Sequence, residues 1–400
     1  MNVEHYEAQN ISHFSFLICT LLTLAGCIEE YEADISSDAS DLLVVEGTIC
    51  SSQLNRFVLS RTLPVNSAFL PTIVEGASVS VCGSDGSEYV AQTRADGSYA
   101  CEVGDLNPNA KYYLHIEFDG EVYESEPQKP LRTEKIAEVT GVQNTRESNI
   151  DVLVTPAEPF EPERVNYYSW TYDETWEVHP DYITYIYFDT ELLEPVSKAD
   201  LFPFCGWKDA RGTTIMVGSS LSYEGQHIQS LKMYDIDRND ERMYYRYSGL
   251  IHQRAISKAE YEYELARRQA SSEMGGLFTP LPSALPTNIH CLTSRKHVIG
   301  YVGCSLNTSE YRFFLKSVDY SINRPVKKDE RLWLDDCNER DCYEMVTERG
   351  LFLCEWQDER FMPGGVLRTA WARRNQLDVR LSGAYIEEPD FWSLEGNVSY

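Results

Sequence analysis

From Leu42 onward the chain reads as short runs of alternating apolar and polar residues, broken by Gly, Asp, Asn and Pro. A period of two puts one set of side chains on a buried face and the other in solvent, the mark of a half-buried strand. The first such runs cover 42–50, 57–62, 77–82, 88–94, 98–103, 111–118 and 121–126, each rich in Val, Tyr, Phe, Ile or Thr. These residue types suit a pleated surface. Three Asp-Gly pairs punctuate them: Asp85-Gly86, Asp96-Gly97 and Asp119-Gly120. Asp-Gly between alternating runs is a hairpin signal, because tight hairpin turns need positive φ. The spacing predicts a β-sandwich over 41–132. Cys82 and Cys101 fall on strands that could be neighbours, which makes a cross-strand disulfide a candidate.

Glu126-Pro127-Gln128-Lys129-Pro130 then breaks the alternation and marks a boundary. A second β-rich domain, immunoglobulin- or fibronectin-like, is expected over 133–392. Its strands are predicted at 149–155, 167–178, 182–188, 213–217, 242–253, 297–305 and 310–317. A helical pattern interrupts them at 258–274. Ser257-Lys258-Ala259-Glu260 reads as a capping box, with Ile256 and Tyr261 at the staple positions and Glu264 four residues before Arg268. Gly275-Gly276 would stop the helix, and a rigid loop follows over 277–282.

The first 40 residues differ from all this. An apolar run at 14–24 is shorter than the ~20 residues a membrane-spanning helix needs, and fits a signal-peptide core. Leu24-Ala25-Gly26-Cys27 follows at once, the pattern of a lipobox, where a peptidase cuts before a cysteine that carries diacylglycerol. The expectation is a signal peptide over 1–26, lipidation of Cys27, and a flexible tether over 27–40. The alternative is a short buried helix with a chance cysteine. The leading segment carries Glu4 and Glu7 and no Lys or Arg, which departs from the usual basic start.

Charge narrows the partners. With 63 acids against 35 bases the formal net charge is −28. Such a field repels phosphate backbones, so no nucleic acid is expected as a partner. Of the 11 cysteines, Cys19 lies in the signal and Cys27 would be lipidated. The odd remainder leaves at least one thiol unpaired.

Within residues 247–305 a pattern runs through Ser257, Lys258 and Tyr261; Gly275, Phe278, Pro282 and Ser283; Asn288, Ile289 and Cys291; and Val298, Ile299, Gly300 and Tyr301. That pattern resembles a Bacteroidetes lipoprotein family, domain of unknown function 4249. The opening Leu43-Val44-Val45-Glu46-Gly47-Thr48-Ile49, the stretch Cys205–Asp209 and the closing Pro389-Asp390-Phe391-Trp392 also fit. A family pattern with two cysteines is replaced here by Gln376-Leu377-Asp378-Val379-Arg380, so no redox role carries over at that end. The pattern of the first domain is similar to the carboxypeptidase-regulatory, prealbumin-like sandwich, a scaffold or binding module. The resemblance implies an outer-membrane lipoprotein, encoded beside TonB-dependent receptors. A surface-exposed accessory to such a transporter is the expected role, with a structural or adhesive envelope protein as the alternative.

No motif for catalysis or a cofactor stands out: there is no His-Glu-x-x-His, no Gly-x-Ser-x-Gly and no phosphate loop. The expectation is no enzyme activity, no cofactor and no resident metal. Cys337 and Cys342, with Cys354 beyond, read as a disulfide set more readily than as a zinc site. Asp335-Asp336 and Glu339-Arg340-Asp341 read as an acidic loop. His290-Cys291 reads as a loop beside a core or bridged cysteine. Tyr168, Trp170, Tyr172 and Trp176 share one strand face, either as core or as a surface for sugars or proteins.

Overall fold

Alternating strands bury their apolar faces only when two sheets close on each other. This chain does so twice. The computed structural model describes residues 42–62, 72–212, 214–273, 285–393 and 398–399. The predicted signal, Cys27, the tether, the helix-stopping glycines and the loop at 277–282, including Phe278, Pro282 and Ser283, lie outside them.

The first sandwich packs two five-stranded sheets. One runs Val298–Gly300, Leu43–Glu46, Gln53–Arg61, Tyr99–Val103, Gln92–Thr93; the other runs Ile289–Cys291, Glu121–Ser125, Tyr112–Phe118, Ser78–Gly83, Glu88–Val90. Phe57, Leu59, Val81, Leu114 and Ile116 meet between them and are fully buried. All three Asp-Gly pairs sit at turns; at Asp119-Gly120 both residues have positive φ, 51° and 74°.

The expected limits 41–132 leave this sandwich incomplete. Ile289–Cys291 pairs antiparallel with Glu121–Ser125, Val298–Gly300 pairs parallel with Leu43–Glu46, and Gly303–Ser305 pairs parallel with Thr48–Cys50. Ile289, Val298, Val302 and Cys304 belong to the first core. Parallel partners cannot come from a tight hairpin, so the missing strands must arrive from far along the chain.

The second sandwich sets Ile136–Val142, Ile150–Pro156 and Leu231–Ile236 against a six-stranded sheet centred on Tyr167–Val178, Arg246–Ala255 and Ser309–Lys316. Tyr168, Trp170 and Trp176 face its core, and Tyr172 stacks on Tyr234 with ring centroids 4.0 Å apart. The aromatic face is therefore core, and the surface-binding alternative for it falls.

Residues 133–392 hold more than this sandwich. A small layer joins Leu332–Asp335, Leu367–Ala372 and Phe352–Asp358, with the hairpin Ile186–Asp189 and Glu194–Ser197 beside it. Its own core holds Phe188, Cys342, Met345, Leu353 and Trp371.

Helix α1 spans Lys258–Glu273, and α2 spans Glu339–Thr347. The α2 segment was expected to be an acidic loop. Asn338 and Asp341 instead form a reciprocal capping box, and Glu339 and Asp341 lie in the first turn, where the helix dipole favours negative charge. Asn338→Ala will lower stability by about 1 kcal/mol, read as a shift in the denaturation midpoint; an unchanged midpoint would show the cap to be idle.

Candidate functional site

The chain crosses between the sandwiches three times, at about 131–135, 255–288 and 305–309, and these crossings build a polar seam. Leu131 and Leu306 are bridged by backbone bonds: Leu131 N–H donates to Cys304 (3.0 Å) and Leu306 N–H to Leu131 (2.7 Å). Thr133 and Asn307 then exchange three more bonds, including the Thr133 hydroxyl to the Asn307 carbonyl at 2.7 Å. Thr133 Oγ1 also accepts from Ala255 N–H at 3.1 Å.

Next to the seam lies an ion pair. Arg254, at the end of its strand, forms a two-pronged bond to Glu260 in the first turn of α1, one prong at 3.2 Å. Their side chains are only 17% and 7% exposed. The Ser257 hydroxyl caps the helix by accepting from Glu260 N–H (3.1 Å), as the capping pattern predicts. The Glu260 carboxylate does not return to the cap; it is committed to Arg254. The Glu264 partner is Arg267 at 2.8 Å, one residue short of the expected Arg268. Tyr261 packs against Tyr167 with its ring tilted by 44° and the centroids 5.1 Å apart, and Tyr301 Oη lies 3.1 Å from Ser257 Oγ. The pattern residues from both halves of 247–305 thus meet. Asn288 completes the set: its amide donates to the Val302 carbonyl and accepts from Val302 N–H, both at 2.9 Å.

Gln253 was not anticipated. Along Arg246–Ala255 the core face carries Tyr247, Gly249, Ile251 and Gln253. The last is fully buried, accepts from the Trp170 indole and donates to the Glu134 carbonyl, both at 2.8 Å. A polar residue at an apolar step of the alternation was the available signal. Arg254 gave none, since it sits on the outward step, where charge is ordinary.

Two cavities flank the seam. One, about 440 Å³, is lined by Arg132, Glu134, Phe160, Asn166, Tyr167 and Lys258, among others. Glu134 is buried and already engaged by Tyr168 Oη (2.9 Å) and Phe160 N–H (3.0 Å). Burial and then that carboxylate raise the Tyr168 phenol well above its usual value. The Arg132 guanidinium lies 3.9 Å over the half-exposed Phe160 ring. A ring backed by a cation presents both a stacking face and N–H donors. The second cavity, about 340 Å³, has Gln53, Asn55, Thr171, His252 and Thr308 in its wall beside Leu54 and Ile215.

The candidate cysteines separate. Cys82 and Cys101 lie in different sheets of the first sandwich, so they are not on neighbouring strands. Cys101 joins Tyr99 and Val103 in the core, whereas Cys82 alternates with the core residues Val79 and Val81 and faces away. That geometry opposes the cross-strand pairing. Burial pushes Cys101 up to about 11 and Cys304 up to about 12. Cys337 and Cys342 come together, with their sulfurs 2.7 Å apart. Cys354 packs in a separate cluster with Ala370 and Leu377, so no three-cysteine set forms. Among the described residues no group of three His, Cys, Asp or Glu could hold a metal ion. His290 lies 3.2 Å from Glu126, and Cys291 Sγ lies 3.1 Å from Ser294 Oγ. No described helix is long and apolar enough to cross a membrane.

No curated protein matches the chain. One family does, over residues 28–311, a stretch that takes in the first sandwich, the seam and most of the second sandwich, and stops before the small layer and before Pro389 to Trp392. The chain belongs to that family, the domain of unknown function DUF4249.

Proposed function

We propose that the chain is a non-catalytic binding protein of the cell envelope, held on the outer membrane by lipid on Cys27 and working beside a TonB-dependent transporter, with a nutrient or the receptor itself as ligand. The observation that carries this reading is the junction: the crossings at 131–134 and 255–258, together with the second sandwich, line a preformed cavity rimmed by Arg132, Phe160 and Tyr167. Preformed cavities where domains meet are common ligand sites. The lipobox supports the tether, since several acyl chains at ~0.8 kcal/mol per buried CH₂ anchor far more firmly than one.

A second reading, an adhesive envelope protein, draws on the small layer. Thr184 Oγ1 donates to the Leu353 carbonyl (2.9 Å) and Phe188 stacks on Trp356 (6.4 Å), so the hairpin runs alongside Phe352–Asp358. Both turns therefore lie at one end, where Leu192, Phe361 and Met362 are exposed at 64%, 78% and 53%.

Affinity purification of the tagged full-length chain in detergent tests the first reading. A TonB-dependent receptor should co-purify, and Cys27→Ser should move the chain from the membrane pellet to the soluble fraction. Purification without a receptor defeats the transporter role; sedimentation of the serine variant with membranes defeats the tether.

A further inference from the structure

Cys337 and Cys342 occupy defined places on α2. With Asn338 as the N-cap, Cys337 is the residue before it and Cys342 is the fourth helical residue. In many helices these two positions hold apolar side chains that touch and fix the angle at which the chain enters. Here they hold sulfurs 2.7 Å apart, both side chains buried beside Met345, Phe188 and Trp371. No other pair of described cysteines has this approach. On the paired strands Thr48–Cys50 and Gly303–Ser305, Cys304 is registered with Ile49 and not with Cys50, which puts the two sulfurs on opposite faces.

We propose that Cys337 and Cys342 are joined by a disulfide in the exported protein, a covalent staple that clamps the first turn of α2 to the small layer. The two thiols form one S–S bond and give up two protons and two electrons to a disulfide oxidant, which is itself reduced to two thiols. Envelope compartments supply such oxidants, so the cellular form of this claim rests on the export reading above.

Trypsin gives a direct readout, because cleavage after Arg331, Arg340 and Arg349 places the two cysteines on separate peptides, residues 332–340 and 341–349. The purified mature chain is equilibrated with oxidised glutathione, alkylated, denatured and digested without reductant. The two peptides should appear linked, 2 Da lighter than their sum and free of alkylation. Separate alkylated peptides, or either cysteine bonded elsewhere, would overturn the proposal. In the folded protein the exposed Arg340 bond should be cut at least fivefold more slowly in the oxidised form than after reduction, because the closed turn cannot fray into the protease; equal rates would remove the staple role. Trapping thiols in intact cells before lysis separates the two claims. A bond that forms in the purified chain but is reduced in cells refutes export and leaves the geometry standing. A chain that never forms it refutes the geometry without touching export.

Discussion

Glu260→Ala will lower the stability of the chain by roughly 3–5 kcal/mol, seen as a large fall in the urea midpoint. The substitution leaves the Arg254 guanidinium buried at the junction without its carboxylate, and desolvating an unpaired charge is among the most expensive changes a core can suffer. The damage is not the loss of attraction alone. Gly303 packs directly on the Glu260 carboxylate, so truncation also opens a gap beside a strand of the first sandwich. The double variant Arg254→Met with Glu260→Leu will recover much of the loss, since apolar residues of similar volume often replace a buried pair at little cost. If the single variant unfolds at the wild-type midpoint, the pair is not what holds α1 to the sandwiches.

Gly300→Val will be comparably damaging, by roughly 2–5 kcal/mol. Gly300 has φ of 142°, a region that side chains rarely adopt, and a Cβ there would fall on the carbonyl oxygen of Val45, its partner in the parallel ladder. Backbone cannot step aside as a flexible side chain can. The predicted outcome is loss of the Val298–Gly300 strand from the edge of the first sandwich, with new hydrogen exchange at the alternate amides of Leu43–Glu46 that point to that ladder and not at those paired with Gln53–Arg61. Unchanged protection there would show that the strand is dispensable. Both substitutions fall within residues 247–305, so the block that carries the family likeness is explained by fit and buried charge.

Local structure was legible wherever alternation was clean. The strand Tyr167–Val178 was placed to the residue, and so was the start of α1 at Lys258. Turn chemistry located the hairpins because Asp-Gly states its own backbone requirement. Three things were not legible. Ile136–Val142 and Leu231–Ile236 were missed because their apolar positions are few and sit among Glu, Thr, Lys and Asp. The short helix α2 was hidden by its acids, although Asn338 and Asp341 spelled its start. The return of residues 289–305 to the first sandwich was invisible because pairing between strands far apart in sequence leaves no local period. The junction was half visible: the run 257–301 was singled out, but Thr133, Glu134, Arg254 and Asn307 sit in places where a polar residue raises no question.

Because the first sandwich takes Ile289–Cys291, Val298–Gly300 and Gly303–Ser305 as partners, it cannot be finished when its own stretch of chain first emerges. Leu43–Glu46 and Glu121–Ser125 stand as open sheet edges until the intervening residues have been made and moved. Open edges recruit other chains. A fragment that ends before residue 289 therefore lacks three strands of its first sandwich, and the expected product is an aggregating piece instead of a smaller domain.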